Sequence, residues 1–177
     1  MPRFRDIPQL PQAHYKIDVS WVYLAEELKR WAETANGQMG GLDMSPDYQR
    51  DHVWTTEQQI AYVEYALMGG EVGRTIIWNN PTWGGSWKMP TELVDGKQRL
   101  EAVRAFMDDE IPAFNAKLSE YEDKMRVIDP RFEFRVCKVK TREEILQLYL
   151  NINAGGTPHA KEELDRVRAM LDKEREK

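Results

Sequence analysis

The segment Glu92–Leu100 has few backbone arrangements open to it. The apolar residues Leu93 and Val94 are typical of a strand, Gly96 supplies a turn, and the residues after it follow a helical pattern. The apolar positions of that helix are Leu100, Val103, Phe106 and Met107. The first N–H groups of a helix have no intrahelical partner and lie at the positive end of the helix dipole. A strand–turn–helix of this kind is therefore suited to holding a phosphate group.

Four polar side chains surround this turn: Asp95, Lys97, Gln98 and Arg99. An acid does not fit a simple phosphate cradle, because its charge repels the anion. An acid beside a phosphate usually holds a metal ion, orients a water molecule or bonds a ribose. Nucleotide chemistry is therefore the first functional hypothesis, with Asp95 as the candidate Mg²⁺ ligand.

The size and composition of the chain predict one globular domain. It has 177 residues, of which 41% are hydrophobic, and this is enough for a sizeable core. No apolar run approaches the roughly 18 residues of a membrane span. Residues 1–6 also lack the apolar core of a signal peptide. We therefore expect a soluble, cytoplasmic protein without a membrane partner.

Cys137 is the only cysteine, which excludes an internal disulfide and a cysteine-based zinc site. It lies in an alternating segment, so we expect it to be a small buried hydrophobic residue. We expect no zinc, haem or iron–sulfur cofactor.

The formal net charge of −5 argues against loose, non-specific binding to nucleic acid, which depends on Lys and Arg. Two short basic groups are candidate patches: Arg3 with Arg5, and Lys138 with Lys140 and Arg142. Both are more typical of ordinary solvated surface.

The hydrophobic periodicity predicts an α+β fold, a small mixed sheet surrounded by several helices. Strands are predicted at Tyr15–Val19, Arg74–Trp78, Leu93–Val94 and Phe132–Val139. Helices are predicted after Ser20, the Thr55–Gln59 capping boxes, Gly96, the Thr141–Glu144 capping box and Thr157-Pro158, with a short helix at 115–125. Residues 1–14 are predicted to form an irregular arm, and residues 15–177 a single domain that ends in a charged helix.

Polar residues are concentrated at three turns between regular elements, where side chains can converge on a site. The clusters are Tyr48-Gln49-Arg50 with Trp54, the turn Asp95–Arg99, and Asn151 and Asn153 with Gly155-Gly156-Thr157.

Each cluster also has a structural interpretation. Arg50 can pair with Asp47 or Asp51 on the surface, and Arg99 can brace the helix start by bonding Asp95. The third cluster can be a helix C-cap, where Asn and Gly supply a positive φ. Lys97 is expected to be exposed.

The tryptophans divide into two groups. Those in apolar patterns, predicted to be core, are Trp21, Trp31 and Trp78. Trp54, Trp83 and Trp87 lie at turns or in a predicted hairpin loop at 79–91, where an exposed ring can stack on a base or pack against the protein. Trp54, next to the first polar cluster, is the candidate for base stacking.

The common catalytic motifs are absent from the sequence. No G-x-x-x-x-G-K-[ST] loop exists, which excludes a P-loop NTPase, and no G-x-S-x-G elbow or H-E-x-x-H helix occurs. His14, His52 and His159 are widely separated, and nothing resembles a histidine–metal nuclease centre.

Three motifs, taken in order, resemble a known family. Residues 46–54 (PDYQRDHVW) resemble its opening P-x-Y-Q-R-x-x-x-W, residues 94–100 (VDGKQRL) its D-G-Q-Q-R-L core, and residues 150–158 (LNINAGGTP) its closing L-N-x-x-G-x-P. The family is a DGQQR-motif domain of unknown function, found at the N-terminus of GmrSD-type modification-dependent restriction proteins and similar in fold to ParB and sulfiredoxin. The resemblance covers about residues 15–165.

The resemblance implies nucleotide binding at the turn around Gly96. In restriction relatives this domain hydrolyses NTP and gates a separate nuclease domain. The site residues that it implies are Asp95, Gly96, Gln98 and Arg99 in the core, Gln49 and Arg50 from the first motif, and Asn153 from the third. Lys97 departs from the family's first glutamine and adds charge near the phosphates. The histidine-containing nuclease domain is absent, so we expect no DNA cleavage by that route.

The leading hypothesis is a stand-alone nucleotide-binding domain that hydrolyses NTP with Mg²⁺. Arg50 and Arg99 would neutralise the phosphates, and the N–H groups of residues 96–98, including Lys97, would cradle one of them. Asp95 would hold Mg²⁺ or orient the attacking water, because phosphoryl transfer depends on charge neutralisation and positioning.

Two alternatives belong to other classes. The domain could be a regulator or adaptor without catalysis, whose partner is DNA or a separate nuclease or other defence protein; a small acidic protein of this kind would suit a phage or mobile element. The lesser alternative is a kinase-like transfer from ATP, for which the sequence shows no acceptor site.

Overall fold

The computed structural model describes residues 3, 7, 10–33, 41–49, 53–86, 88–154 and 161–176. Within these residues a mixed sheet is surrounded by helices, so the predicted α+β class is confirmed. The likeness to ParB and sulfiredoxin and the division at residue 14 stay predictions.

The sheet has five strands among the described residues. They are β1 (Tyr15–Ser20), β2 (Leu42–Asp43), β3 (Thr75–Asn79), β4 (Thr91–Asp95) and β5 (Arg131–Cys137). Their order across the sheet is β1-β5-β3-β4-β2. The pairs β1–β5 and β3–β4 are antiparallel, whereas β3–β5 and β2–β4 are parallel. The two-residue β2 was not predicted, because so short a strand carries no periodicity.

Five α-helices lie in the described parts of the chain. They are α1 (Leu24–Ala32), α2 (Thr56–Leu67), α3 (Lys97–Met107), α4 (Arg142–Ala154) and α5 (Lys161–Arg175). A short 3-10 turn, Trp21–Tyr23, leads into α1. All five helices were predicted from the sequence.

Capping boxes begin α2 and α4, as predicted. At α2 the Gln58 N–H donates to Thr55 Oγ1 at 3.3 Å, and the Thr55 N–H donates to Gln58 Oε1 at 2.9 Å. At α4 the Glu144 N–H donates to Thr141 Oγ1 at 3.2 Å, and the Thr141 N–H donates to Glu144 Oε2 at 3.1 Å. These local side-chain bonds satisfy helix N–H groups that have no partner within the helix.

The predicted short helix at 115–125 is wrong. Phe114 and Asn115 have positive φ angles of 49° and 63°, which are incompatible with a right-handed helix. The segment instead contains the 3-10 turn Leu118–Glu120, and a second such turn, Met125–Val127, follows.

One face of the sheet packs against α1, α2 and α3. Alternate residues of β5, namely Phe132, Phe134 and Val136, belong to this core together with Trp31 and Trp78. The Trp31 ring centroid lies 5.6 Å from that of Trp78 and 5.2 Å from that of Phe134. Trp21 is also buried, so the prediction of three core tryptophans is confirmed.

The opposite face packs against α4 and α5. Val94 and Cys137 contribute from the strands, and Leu148 and Leu171 contribute from the two helices. Cys137 is buried as predicted, and burial raises the pKa of its thiol. Each face of the sheet therefore has its own hydrophobic core.

The structure removes Trp83 from the candidates for base stacking. Its side chain is buried, and its ring centroid lies 5.1 Å from that of Tyr15 and 5.3 Å from that of Trp31. The tryptophan folds back from the predicted hairpin loop into the core. Trp87 lies outside the described residues. No helix in the described parts of the chain is long and apolar enough to cross a membrane.

Candidate functional site

The turn between β4 and α3 follows an irregularity in strand pairing. Ile77 of β3 pairs with Asp95, and the next residue, Trp78, pairs with Leu93, so one step along β3 corresponds to two along β4. A bulge of this type reorients the side chains at a strand end and is frequent beside active sites. Here it lies immediately before Asp95.

Gly96 is required by the geometry of the turn. It is the N-cap of α3 and has a φ of 104°, in the left-handed region. A Cβ at this position would lie 2.5 Å from Ile76 Cδ1 and 3.4 Å from Ile76 Cα. The backbone at the start of α3 can thus approach β3 closely only because residue 96 is glycine.

Arg99 braces the turn, as the structural interpretation predicted. Its Nη2 donates to Asp95 Oδ2 at 2.5 Å, and its Nη1 donates to the carbonyl oxygen of Gly73 at 2.7 Å. The Tyr62 hydroxyl donates to the same carbonyl oxygen at 3.1 Å. A Cβ on Gly73 would lie 3.1 Å from Arg99 Cδ, so the glycine gives the arginine its room. The guanidinium is held in place beside the first turn of α3.

Lys97 is buried, with 8% of its surface exposed, and the expectation that it is exposed is wrong. It is the first residue of α3 and lines the cavity described below. The positive charge of a lysine that lines a cavity attracts anionic ligands.

The two glutamines of the motifs hold the backbone of the site together. Gln49 Nε2 donates to the carbonyl oxygens of Leu93 and Val94, at 3.0 and 2.7 Å. Gln98 Oε1 accepts from the N–H groups of Val53 and Trp54, at 2.9 and 3.0 Å. The segment before α2 is therefore bonded to β4 through Gln49 and to α3 through Gln98. A simple reading of both amides as phosphate ligands misses this structural role.

The residue before Gln49 anchors the first motif in the core. Tyr48 is fully buried, its hydroxyl donates to Glu92 Oε2 at 3.0 Å, and its ring makes an edge contact with Tyr149. Burial, followed by the Glu92 carboxylate, raises the pKa of Tyr48. Asp47 pairs with Arg142. Arg50, with Asp51 and His52, lies outside the described residues.

Asn153 lies within α4 rather than at a left-handed C-cap. It is buried, and its Nδ2 donates to the carbonyl oxygen of Tyr149, one turn earlier, at 2.8 Å. Asn151 is exposed and accepts from Gln147. Residues 155–157, the rest of the third cluster, lie outside the described residues.

The described members of all three clusters line one cavity of about 430 Å³, except Tyr48 and Asn151. The lining residues are Gln49, Trp54, Tyr62, Val72, Gly73, Asp95, Gly96, Lys97, Gln98, Arg99, Tyr149, Ile152 and Asn153. Its size is within the range of small-molecule sites. Segments that are far apart in the sequence therefore meet at the N-terminus of α3.

Several lining residues were not predicted. Tyr62, Val72, Gly73 and Tyr149 belong to no motif, and only the packing of α2 and α4 around the turn brings them there. Burial raises the pKa of Tyr62 to about 12, although the Arg99 guanidinium acts in the opposite direction. Its hydroxyl therefore remains a neutral donor at physiological pH.

The described lining of the cavity carries a charge opposite in sign to that of the protein. Among the described residues it contains the cations Lys97 and Arg99 and one carboxylate, Asp95, whereas the whole chain has a net charge of −5. The described residues hold no group of three or more His, Cys, Asp or Glu side chains that could bind a metal by themselves. The arrangement favours an anionic ligand.

Comparison with known proteins gives one result. The family model described as "GmrSD restriction endonuclease, N-terminal domain" matches residues 33–136, more than half of the chain. The match includes the first two motifs, and the third lies beyond it. Among curated proteins and among solved structures no match was found. The chain therefore belongs to the family of the GmrSD restriction endonuclease N-terminal domain, which connects it with restriction systems.

Proposed function

We propose that this protein is a nucleotide-binding domain that hydrolyses nucleoside triphosphates with Mg²⁺ in a restriction or defence system. One observation supports this above all: residues from three separate motifs meet in a cavity at the N-terminus of α3. A helix N-terminus, a buried lysine and a braced arginine are together suited to a polyphosphate.

The phosphates would lie against the first turn of α3. Gly96, the N-cap of α3, makes no side-chain cap and itself lines the cavity, so the start of the helix faces the proposed ligand. Lys97 and Arg99 would neutralise the phosphate charge, and Arg50 and Asn153 would approach from the other motifs. The bonds from Gln49 and Gln98 would keep the cradle rigid, which lowers the cost of binding.

The donor set fits Mg²⁺ carried by a triphosphate. Mg²⁺ typically retains several waters and needs only one or two protein carboxylates in addition to substrate phosphates. Asp95 Oδ2 is bonded to Arg99, so the second carboxylate oxygen would hold the ion. The ion would supply neutralisation of phosphate charge. Alternatively, the same carboxylate oxygen would orient the attacking water, as the Arg99 brace restricts the rotation of Asp95.

The charges of the described surface give less support to the DNA-binding alternative. Several arginines are paired with nearby acids, among them Arg74 with Asp18 and Arg142 with Asp47. Arg142 belonged to one of the two candidate basic patches. Nucleic-acid binding depends on unneutralised Lys and Arg.

The test is titration of the protein with each of the four nucleoside triphosphates in Mg²⁺, together with a phosphate-release assay. Arg99→Gln should weaken binding about tenfold or more, because it removes a charged phosphate ligand. Asp95→Asn should slow phosphate release about a hundredfold, as expected when one group that positions the reaction is lost. Arg104→Gln is the matched control: it lies on the same helix outside the cavity, paired with Glu101.

The outcomes separate the classes of function. Binding without phosphate release would make the domain a nucleotide switch, and release that survives Asp95→Asn would overturn the role of that residue. If no triphosphate binds, the proposal fails. Binding to duplex DNA with a steep salt dependence would then identify a DNA-binding regulator.

A further inference from the structure

An apolar groove adjoins the cavity at the N-terminus of α3. It has a volume of about 580 Å³ and is lined by Trp54, Gln58, Ala61, Tyr62, Tyr65 and Val72. Trp54, Tyr62 and Val72 also line the neighbouring cavity. The aromatic groove, as we call these six residues, is thus continuous with the site proposed for the phosphates.

Local bonds hold the rings of the groove in place. The Tyr62 hydroxyl donates to the carbonyl oxygen of Gly73 at 3.1 Å, and the Tyr65 hydroxyl accepts from the Val72 N–H at 3.2 Å. The centroids of the Trp54 and Tyr62 rings are 5.5 Å apart, with the planes inclined at 57°. A preformed aromatic surface binds a flat ligand without a cost for ordering its side chains.

The groove exposes apolar surface that the fold itself does not use. Val72 is 78% exposed, and Tyr65 on α2 is 37% exposed. Exposed apolar residues that surround a concave surface commonly mark a binding site.

We infer that the aromatic groove binds the base of the nucleotide whose phosphates lie at α3. This inference rests on the proposed function and identifies the substrate class of the same site. A base stacked on the ring face of Trp54, beside the inclined ring of Tyr62, would leave its ribose over Val72 and its phosphates directed toward Lys97 and Arg99. Each surface complements one part of a nucleotide: the aromatic groove is apolar, as suits a base, and the cavity is cationic, as suits phosphates.

The groove would accept all four bases with little discrimination. Specific recognition of a base depends on donors and acceptors aimed at its edge. Here the Tyr62 hydroxyl donates to a backbone carbonyl, and the Tyr65 hydroxyl and Gln58 Oε1 accept backbone N–H groups, so the groove presents mainly ring faces to a base. Stacking on a ring face is tolerant of sequence, because every base has a π-face. Purines would bind slightly tighter through their larger area.

The experiment compares the four nucleoside triphosphates with inorganic tripolyphosphate, each with Mg²⁺, by calorimetric titration. Tripolyphosphate carries the anionic part of the ligand without a base. We expect the nucleotides to bind about tenfold tighter than tripolyphosphate, and their dissociation constants to agree within about fivefold, purines being the tighter.

Two variants test whether the groove supplies the tighter binding of the nucleotides. Tyr65→Ala should remove most of the advantage of the nucleotides while leaving the affinity for tripolyphosphate unchanged, because Tyr65 lines the groove and not the cavity, and this also shows that the cradle is folded. Trp54→Ala, at a residue that lines both, should remove the same advantage. Tyr121→Ala is the matched control, because Tyr121 has the same 37% exposure and its hydroxyl also bonds the backbone, at the carbonyl oxygen of Ala113. It should alter neither affinity.

The results distinguish a failure of this inference from a failure of the proposed function. If tripolyphosphate binds as tightly as the nucleotides, or if a single base is preferred a hundredfold, the groove is not a tolerant base site, yet the phosphate site stands. If neither tripolyphosphate nor any nucleotide binds, the proposed function fails and the inference fails with it. Loss of binding to a short single-stranded oligonucleotide in the groove variants, without loss of nucleotide binding, would assign the groove to nucleic acid instead.

Discussion

The two ends of the β3–β4 pair contain buried polar residues of very different character. At one end, which we call the closed end, Asn79, Asn80, Thr91 and Glu92 bond to one another and to nearby backbone. At the other, the open end, Gly73, Asp95, Lys97 and Arg99 line a cavity. Both ends are polar and buried in part, so burial of polar groups alone does not identify a functional site.

The difference lies in where the hydrogen bonds of each end lead. Asn79 Nδ2 donates to the carbonyl oxygen of Val139, and its Oδ1 accepts from the Val139 N–H at 2.8 Å. Asn80 Oδ1 accepts from both the N–H and the hydroxyl of Thr82. These bonds stabilise a loop and a strand end. At the open end the bonds position charged groups around a space large enough for a ligand.

The largest expected effect is on stability at the closed end. Asn79→Ala leaves the buried N–H and carbonyl groups of Val139 without their partner and should lower the free energy of unfolding by about 3 kcal/mol. Chemical denaturation measures the loss. Nucleotide affinity, measured well below the denaturation midpoint, should be unchanged. An equal loss of affinity would show that the two ends are coupled.

Gly96→Ala should be the most damaging change at the open end. It combines a left-handed φ with a contact against the buried side chain of Ile76. We expect the free energy of unfolding to fall by about 2 kcal/mol and nucleotide binding to be lost. Gly84→Ala is the control, since its φ of 72° is also left-handed but a Cβ there meets nothing within 4 Å. Equal losses in both variants would show that backbone strain alone is responsible.

Arg99→Gln should change function more than stability. The side chains of Arg99 and Asp95 are 18% and 26% exposed, so water compensates the lost bonds only in part, and the stability cost should be about 1–2 kcal/mol, below that of Asn79→Ala. Thermal unfolding without ligand and titration with nucleotide separate the two effects. A stability loss as large as that of Asn79→Ala would make Arg99 a structural brace like the residues of the closed end.

The smallest effect is an alkaline loss of stability shared by both ends. The pKa of Tyr62 at the open end is raised to about 12, and that of Tyr48, which bonds Glu92 at the closed end, is also raised. Above pH 10 the tyrosines of the unfolded chain ionise while these two do not, so the folded state loses stability between about pH 10 and 12.

Tyr62→Phe and Tyr48→Phe should each recover about 1 kcal/mol of the alkaline loss at pH 11, relative to the value of the same variant at pH 8. Denaturation at the two pH values provides the measurement, and Tyr23→Phe, at an exposed tyrosine, is the control. An unchanged alkaline loss in both variants would contradict the burial of these hydroxyls.

Local sequence signals predicted most of the elements. The capping boxes at Thr55 and Thr141 involve residues three positions apart, so their geometry follows from the helix itself. The wrong helix at 115–125 also has a local explanation: Phe114 and Asn115 have positive φ angles, which interrupt a segment with a helical composition. The bond between Asp95 and Arg99 was also predicted, because residues four positions apart at the start of a helix are neighbours.

Neighbouring residues are enough to specify the turn at Gly96, with the acid before it and the cations after it. Tertiary structure alone decided that Lys97 is buried, that Gln49 and Gln98 bond the backbone, and that Tyr62, Tyr65 and Val72 form a groove beside the cradle. Each of these depends on which face of one element packs against another, and contacts between residues tens of positions apart leave no periodic trace in the chain.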